Sequence, residues 1–195
     1  MKRNYYLYFF VASFSALSIF SCSKDDNKGT FTIELDELLS VDDDQRTYAI
    51  GEVIWFNINI PNTMTDVQGK ERNVRDLSGA TTALTNIKFF KETGFSLPSQ
   101  LRLSESDFIV ELGQMELFPF ETLMRTRAVF EEEGYRFRFG VTLAEAGNYF
   151  ISTPSGEGDF ETFFDVGNGN DTDFNLKTTL RGGDVNNRYL FSVTE

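Results

Sequence analysis

The chain has 195 residues, 18 basic and 30 acidic, giving a net charge of −12, with 15% aromatic residues, one cysteine and no histidine. That acidity argues against nucleic acid and anionic membrane surfaces as partners, since both carry the same sign of charge. Without histidine there is no Ser-His-Asp triad or imidazole-ligated metal, and one cysteine closes no internal disulfide, so the fold must hold by packing, for which 21 Phe and 7 Tyr are ample.

Met1-Lys2-Arg3-Asn4 is a short cationic head, and the next 16 residues, through Phe20, carry no charge. Several are Ser, and the run falls short of the roughly 20 residues a bilayer span needs, so residues 1–21 are expected to be a cleaved signal peptide. The end of this segment, Leu17-Ser18-Ile19-Phe20-Ser21-Cys22, resembles a bacterial lipobox, and Ser23-Lys24-Asp25-Asp26-Asn27 resembles the acidic export signal of Bacteroidota-type surface lipoproteins. The resemblance implies diacylglycerol and an acyl chain such as palmitate on Cys22, with Lys24, Asp25 and Asp26 as the export signal. It also implies lipid anchoring at the bacterial outer membrane with the body exposed at the surface. The other reading of Cys22 is an ordinary free thiol. With Cys22 acylated, no thiol is left for nucleophilic or zinc-thiolate chemistry. Past residue 21 the chain carries 16 basic residues, the 18 less Lys2 and Arg3, against 30 acidic ones, a net of −14. Residues 22–29 read as a lipidated polar tether and 30–195 as one folded domain.

Phe31-Thr32-Ile33-Glu34-Leu35 alternates and predicts the first strand, ending before the acidic turn Asp42-Asp43-Asp44. Residues 53–60 predict the second, with Ile54, Phe56, Ile58 and Ile60 on one face and Trp55, Asn57 and Asn59 on the other, stopped by Pro61-Asn62. Residues 62–82 lack apolar periodicity. They form either a functional or partly disordered loop or one that hides a short helix at Val74 to Leu77.

Strands resume at 84–91 and 108–117, then at 121–131 and 135–143, joined by the turn Glu131-Glu132-Glu133-Gly134. Pairing residues whose numbers sum to 265 sets Phe130 opposite Tyr135, Ala128 opposite Phe137, Thr126 opposite Phe139, Met124 opposite Val141 and Thr122 opposite Leu143. One face of that hairpin is then almost wholly apolar. Leu143-Ala144-Glu145-Ala146-Gly147-Asn148-Tyr149 resembles the corner entering the penultimate strand of immunoglobulin-like sandwiches, where a Tyr hydroxyl returns to upstream backbone. Runs at 149–151, 160–166, 174–180 and 188–194 bring the count to about ten strands. The expected fold class is all-β, an Ig-like or related Greek-key β-sandwich, without the Cys-Trp-Cys core of true immunoglobulin domains.

The same hairpin register sets Arg127 opposite Arg138, with Arg125 and Arg136 beside them. Like charges opposed across strands are destabilising unless neutralised. The four are either an anion site for a sulfated or uronic sugar or a carboxylate-bearing partner, or a charge ladder completed by Glu from a neighbouring strand. Trp55 between Asn amides suits sugar stacking, with Asn57 and Asn59 binding hydroxyls; a second buried face explains it equally. In the loop from Asp165 to Asp173, Asp171 and Asp173 start an EF-hand-like spacing, but Leu176 stands where that loop needs Gly, and a Gly/Asn turn accounts for the same letters. Asp42, Asp43 and Asp44 are likewise a solvated turn or, with that loop, oxygen ligands for one Ca²⁺. No other metal or cofactor is expected. No phosphate-binding Gly loop, G-x-S-x-G elbow or H-E-x-x-H occurs.

These features point to a non-catalytic surface module that binds glycan or an envelope protein and meets the membrane only through its lipid. A carboxylate-dependent glycan hydrolase and an adhesin or assembly subunit using an exposed edge strand are the competing readings.

Overall fold

Alternation of apolar and polar residues carries most of the chain into strands. The computed structural model describes residues 29–94, 97–118, 120, 122–165 and 172–195, and among them are fifteen strands. In chain order these are β1 (Gly29–Val41), β2 (Thr47–Ala49), β3 (Val53–Pro61), β4 (Thr63–Thr65), β5 (Glu71–Asn73), β6 (Thr82–Lys91), β7 (Ser99–Gln100) and β8 (Phe108–Leu112). There follow β9 (Gln114–Phe118), β10 (Leu123–Glu131), β11 (Gly134–Thr142), β12 (Gly147–Ser152), β13 (Phe160–Phe164), β14 (Thr172–Leu180) and β15 (Tyr189–Thr194), and one helix, α1 (Val74–Ser78), links β5 to β6. Cys22, Lys24, Asp25, Asp26 and Asp171 lie outside the described residues.

Seven strands close into a ring, because β6 pairs with β13 on one side and β10 on the other; the order is β6-β13-β14-β1-β3-β11-β10. Every neighbour in it is antiparallel except β1 and β14, which run parallel from Gly29 opposite Thr172. Beyond the ring, Lys88 to Lys91 of β6 pair with β12, which carries β15 and then β2. The all-β class is as expected. The closed ring departs from an open two-sheet sandwich, and fifteen strands exceed ten for two reasons. β2, β4, β5 and β7 are only two or three residues long, too short to show a period, and the strand expected at 108–117 is broken at Gly113.

The ring is filled by Ile33, Ile54, Ile58, Phe137, Phe139 and Leu176, all buried. Phe56 stacks on Phe139 at 5.0 Å between centroids and meets Phe89 edge-on at 5.7 Å. Full burial of each such side chain contributes about 1.5–3 kcal/mol. The threonines inside satisfy one another: Thr85 and Thr162 share a 2.7 Å hydroxyl hydrogen bond, and Thr126 donates to the Thr85 carbonyl at 3.1 Å.

One end of the ring is capped by the stretch that lacked a readable period. There β4 pairs with β5, α1 follows, and Met64, Val74 and Ala80 are buried in the core. Asn73 caps α1 by accepting from the Asp76 amide, and Gly79 ends it with φ +69. Asp66 accepts from the Gln68 and Lys70 amides and from buried Arg72 at 2.9 Å, and the Arg72 guanidinium lies 3.9 Å from the Phe31 centroid. The Tyr135 hydroxyl donates to the Ala80 carbonyl at 3.0 Å, tying the cap to β11.

The opposite end is forked. β10 and β11 pair as expected only at Val129–Arg136, Phe130–Tyr135 and Glu131–Gly134. Past that point β9 pairs with β10 and β8 with β11, so the expected rows from Ala128–Phe137 to Thr122–Leu143 do not form. Gly113 stands at the crotch with φ +87, where a Cβ would lie 2.5 Å from the Phe137 ring and 2.7 Å from the Arg127 carbonyl oxygen. Only glycine fits there, in both conformation and space. The corner ahead of β12 forms as the sequence suggested, with the Tyr149 hydroxyl donating to the Glu145 carbonyl at 2.7 Å.

Candidate functional site

β3 and β11 pair in register along their whole length, so their outward residues stand opposite one another: Asn59 by Arg136, Asn57 by Arg138 and Trp55 by Gly140. Two sets that looked unrelated in sequence, the Trp55-Asn57-Asn59 row and half of the arginines, thus share one face. Gly140 leaves room for the indole. A Cβ there would stand 2.5 Å from Val53 Cγ1 and 3.3 Å from two Trp55 ring carbons. Trp55 is partly buried on this floor, and the Arg138 guanidinium sits 4.8 Å from its centroid in cation–π range.

Arg138 is the hub. Its Nη2 donates to Asp42 Oδ2 at 2.7 Å, its Nη1 to Asp42 Oδ1 at 3.1 Å and to Asn57 Oδ1 at 2.8 Å, and its Nε to Glu111 of β8. Asn57 closes the circuit by donating from Nδ2 to Asp42 Oδ1 at 2.5 Å. Asp42 therefore has a pKa below its ordinary value, chiefly through the Arg138 hydrogen bond and against a desolvation penalty, and Arg138 is raised mainly by Asp42. Amide, guanidinium and carboxylate thus hold one another in place, with the indole against the guanidinium.

The four arginines do not form one patch. The expected opposition of Arg127 and Arg138 fails because β8 and β9 part the two strands at these residues: Arg127 faces Gln114 and Leu84, and Arg138 faces Leu112 and Asn57. Three of the four take acids from neighbouring segments: Arg125 reaches Glu116 at 4.0 Å, Arg127 reaches Asp165 at 3.4 Å, and Arg138 holds Asp42 and Glu111. Arg136 is exposed and has no acidic partner among the described residues; with Asn59, Pro61 and Glu133 it lines an open depression next to the Arg138 cluster.

Sequence reasoning missed Asp42, Glu111 and Gly140. Asp42 was grouped with Asp43 and Asp44 as a turn or a calcium ligand, but its carboxylate is engaged by Arg138 and Asn57. Asp173 is exposed on β14, and among the described residues no group of three or more His, Cys, Asp or Glu is arranged to hold a metal. Gly140 had a readable signal, a lone glycine inside an otherwise strong strand pattern, which marks close approach of another group.

No protein family and no curated protein matches the chain. Among solved structures it is similar to the type II cohesin dyad from the adaptor ScaA scaffoldin of Acetivibrio cellulolyticus, at 13% identity over 75% of this chain and 46% of that one, TM-score 0.33. The chain thus spans a little under half the length of the dyad. It is also similar to a type II cohesin domain from the cellulosome of the same organism, at 13% identity over 84% and 95%, TM-score 0.35. The PapD-like domain 7 of human CEP192 matches at 10% identity over 73% and 84%, TM-score 0.27. At TM-scores this low, none of the three establishes a shared fold.

Proposed function

We propose that this chain is a non-catalytic surface module, anchored through lipid on Cys22, whose β3–β11 outer face binds a glycan. One observation carries the reading: the β3–β11 register sets Trp55 over Gly140 beside a guanidinium already locked by Asp42, Asn57 and Glu111. Sugar rings present apolar C–H faces and hydroxyls that both donate and accept. An aromatic ring ringed by pre-oriented planar donors and acceptors meets both needs without an ordering cost on binding. Asn59 and Arg136 extend the face by one further row, so more than one sugar unit has partners.

The test is a titration of the full chain with neutral and acidic polysaccharides, read by tryptophan fluorescence, which reports Trp55 alone because it is the only tryptophan. Binding that falls about tenfold or more in Trp55→Ala, measured by calorimetry because that variant has no tryptophan, is expected, since aromatic anchors dominate such contacts. No response across the panel, or equal affinity in the variant, defeats the glycan reading, and release of new reducing ends would show a hydrolase instead. Loss of palmitate labelling and of membrane association in Cys22→Ser is the expected outcome for the anchor.

A further inference from the structure

The charge balance around Trp55 limits what that face can hold. A guanidinium has five N–H groups, and Arg138 makes four hydrogen bonds: Nη1 and Nη2 fork onto Asp42, Nη1 also donates to Asn57 Oδ1, and Nε donates to Glu111. A carboxylate or sulfate is gripped by two parallel N–H groups of one guanidinium, and here Asp42 already fills that fork. Glu111 sets a second acid on the same cation, with its side chain 58% exposed. The cluster is one cation against two carboxylates, and exposed Asp43 and Asp44 follow Asp42 in the chain.

The neighbouring row does not reverse that sign. Arg136 is exposed, but Glu133 lines the same depression, and exposed Glu131 and Glu132 precede Glu133 on the turn. Arg181, whose amide donates to the Leu39 carbonyl of β1, is itself paired with Glu37 at 3.6 Å. The row on the other side of Arg138 is uncharged. There Gly140 stands between Trp55 of β3 and Ile109 of β8, and Ile109 is 48% exposed, so an apolar stripe crosses three strands. A sugar ring can lay a C–H face on that stripe while its hydroxyls donate to Glu111 or accept from the Asn57 amide. A ring carrying an anion finds no open guanidinium fork at Arg138 and meets like charge.

We infer that the face selects uncharged glycans and rejects uronic or sulfated ones. This specificity rests on the glycan reading of the Trp55 face and names the ligand class within it.

The probes are neutral glucans, mannans, galactans and xylans, each beside the same polymer carboxymethylated or sulfated, added to the full chain in a sugar-free polyoxyethylene detergent. Fluorescence of Trp55, the only tryptophan, reads binding. At about 50 mM salt a neutral binder is expected to hold at least about tenfold tighter than its charged counterpart. That gap is expected to shrink at about 1 M salt, where the Debye length falls to about 3 Å; a gap due to added bulk would not. Glu111→Gln removes one acid while keeping its size and is expected to narrow the gap about threefold or more. If that variant fails to fold, the salt series on the native chain still decides. Equal or tighter binding of the charged polymers, or a gap indifferent to salt, overturns the specificity and leaves the glycan reading standing. A panel to which Trp55 does not respond defeats both.

Discussion

The two ends of the β10–β11 hairpin are made of equally alternating sequence and finish in opposite ways. At the turn end the strands pair directly, and the cap of β4, β5 and α1 seals the core, pinned by Tyr135 on Ala80. At the other end they part around Gly113, take β8 and β9 between them, and leave Ile109 and Val110 in solvent. Apolar alternation decides which face of a strand is buried. Which strand lies next to it is decided by whatever else can reach its edge.

Gly113→Ala should disturb the contrast most, since the added Cβ meets the Phe137 ring and the Arg127 carbonyl at φ +87. A loss of about 2–4 kcal/mol is expected in urea unfolding, and a change below about 0.5 would mean the fork can open further. At the sealed end Tyr135→Phe leaves the Ala80 carbonyl unpaired and should cost about 1–2 kcal/mol. Burial pushes the Tyr135 phenol up to about 12, so in a spectroscopic titration it should ionise above the ordinary tyrosine range.

Smaller effects separate the arms of the fork. Arg138→Ala removes a partly exposed cluster and is expected to cost about 0.5–1.5 kcal/mol, with coupling to Asp42 in a double-mutant cycle; Arg127→Ala should cost less than about 0.5. The last effect is a pH dependence that emerges only in acid. Asp66 is held low mainly by the Lys70 amide, and Asp42 mainly by Arg138. Carboxylates with lowered folded-state pKa stabilise fully above their unfolded value near 3.9, and that contribution is lost as pH falls through the folded one. Acid unfolding below about pH 4 should therefore flatten in Asp66→Asn and Asp42→Asn.

Long strands and the core faces were legible in the sequence. Ile54, Phe56, Ile58 and Ile60 are buried together on β3 as their period demands, and the turn at Glu131 to Gly134 set the right register for the three rows beside it. The wedge of β8 and β9 was only faintly legible: the apolar phase flips at Gly113, from Phe108, Val110 and Leu112 to Met115 and Leu117, which marks a break in the strand but not the change of partner. The site was half legible for a similar reason. Trp55, Asn57 and Asn59 share a face by alternation alone, but Asp42 reaches Arg138 across 96 positions, a pairing that no local pattern encodes.

The parallel pairing of β1 with β14 sets an order of events in time. Glu37 donates its amide to the Thr179 hydroxyl across 142 positions, so the opening part of β1 has no edge to join until nearly the whole chain is present. Folds dominated by such distant pairings close in milliseconds to seconds, and partial chains expose unpaired edges meanwhile. For a polypeptide delivered from its amino end, the first strand made is among the last to be placed. A fragment ending before β14 should stay unfolded, however complete its hairpins.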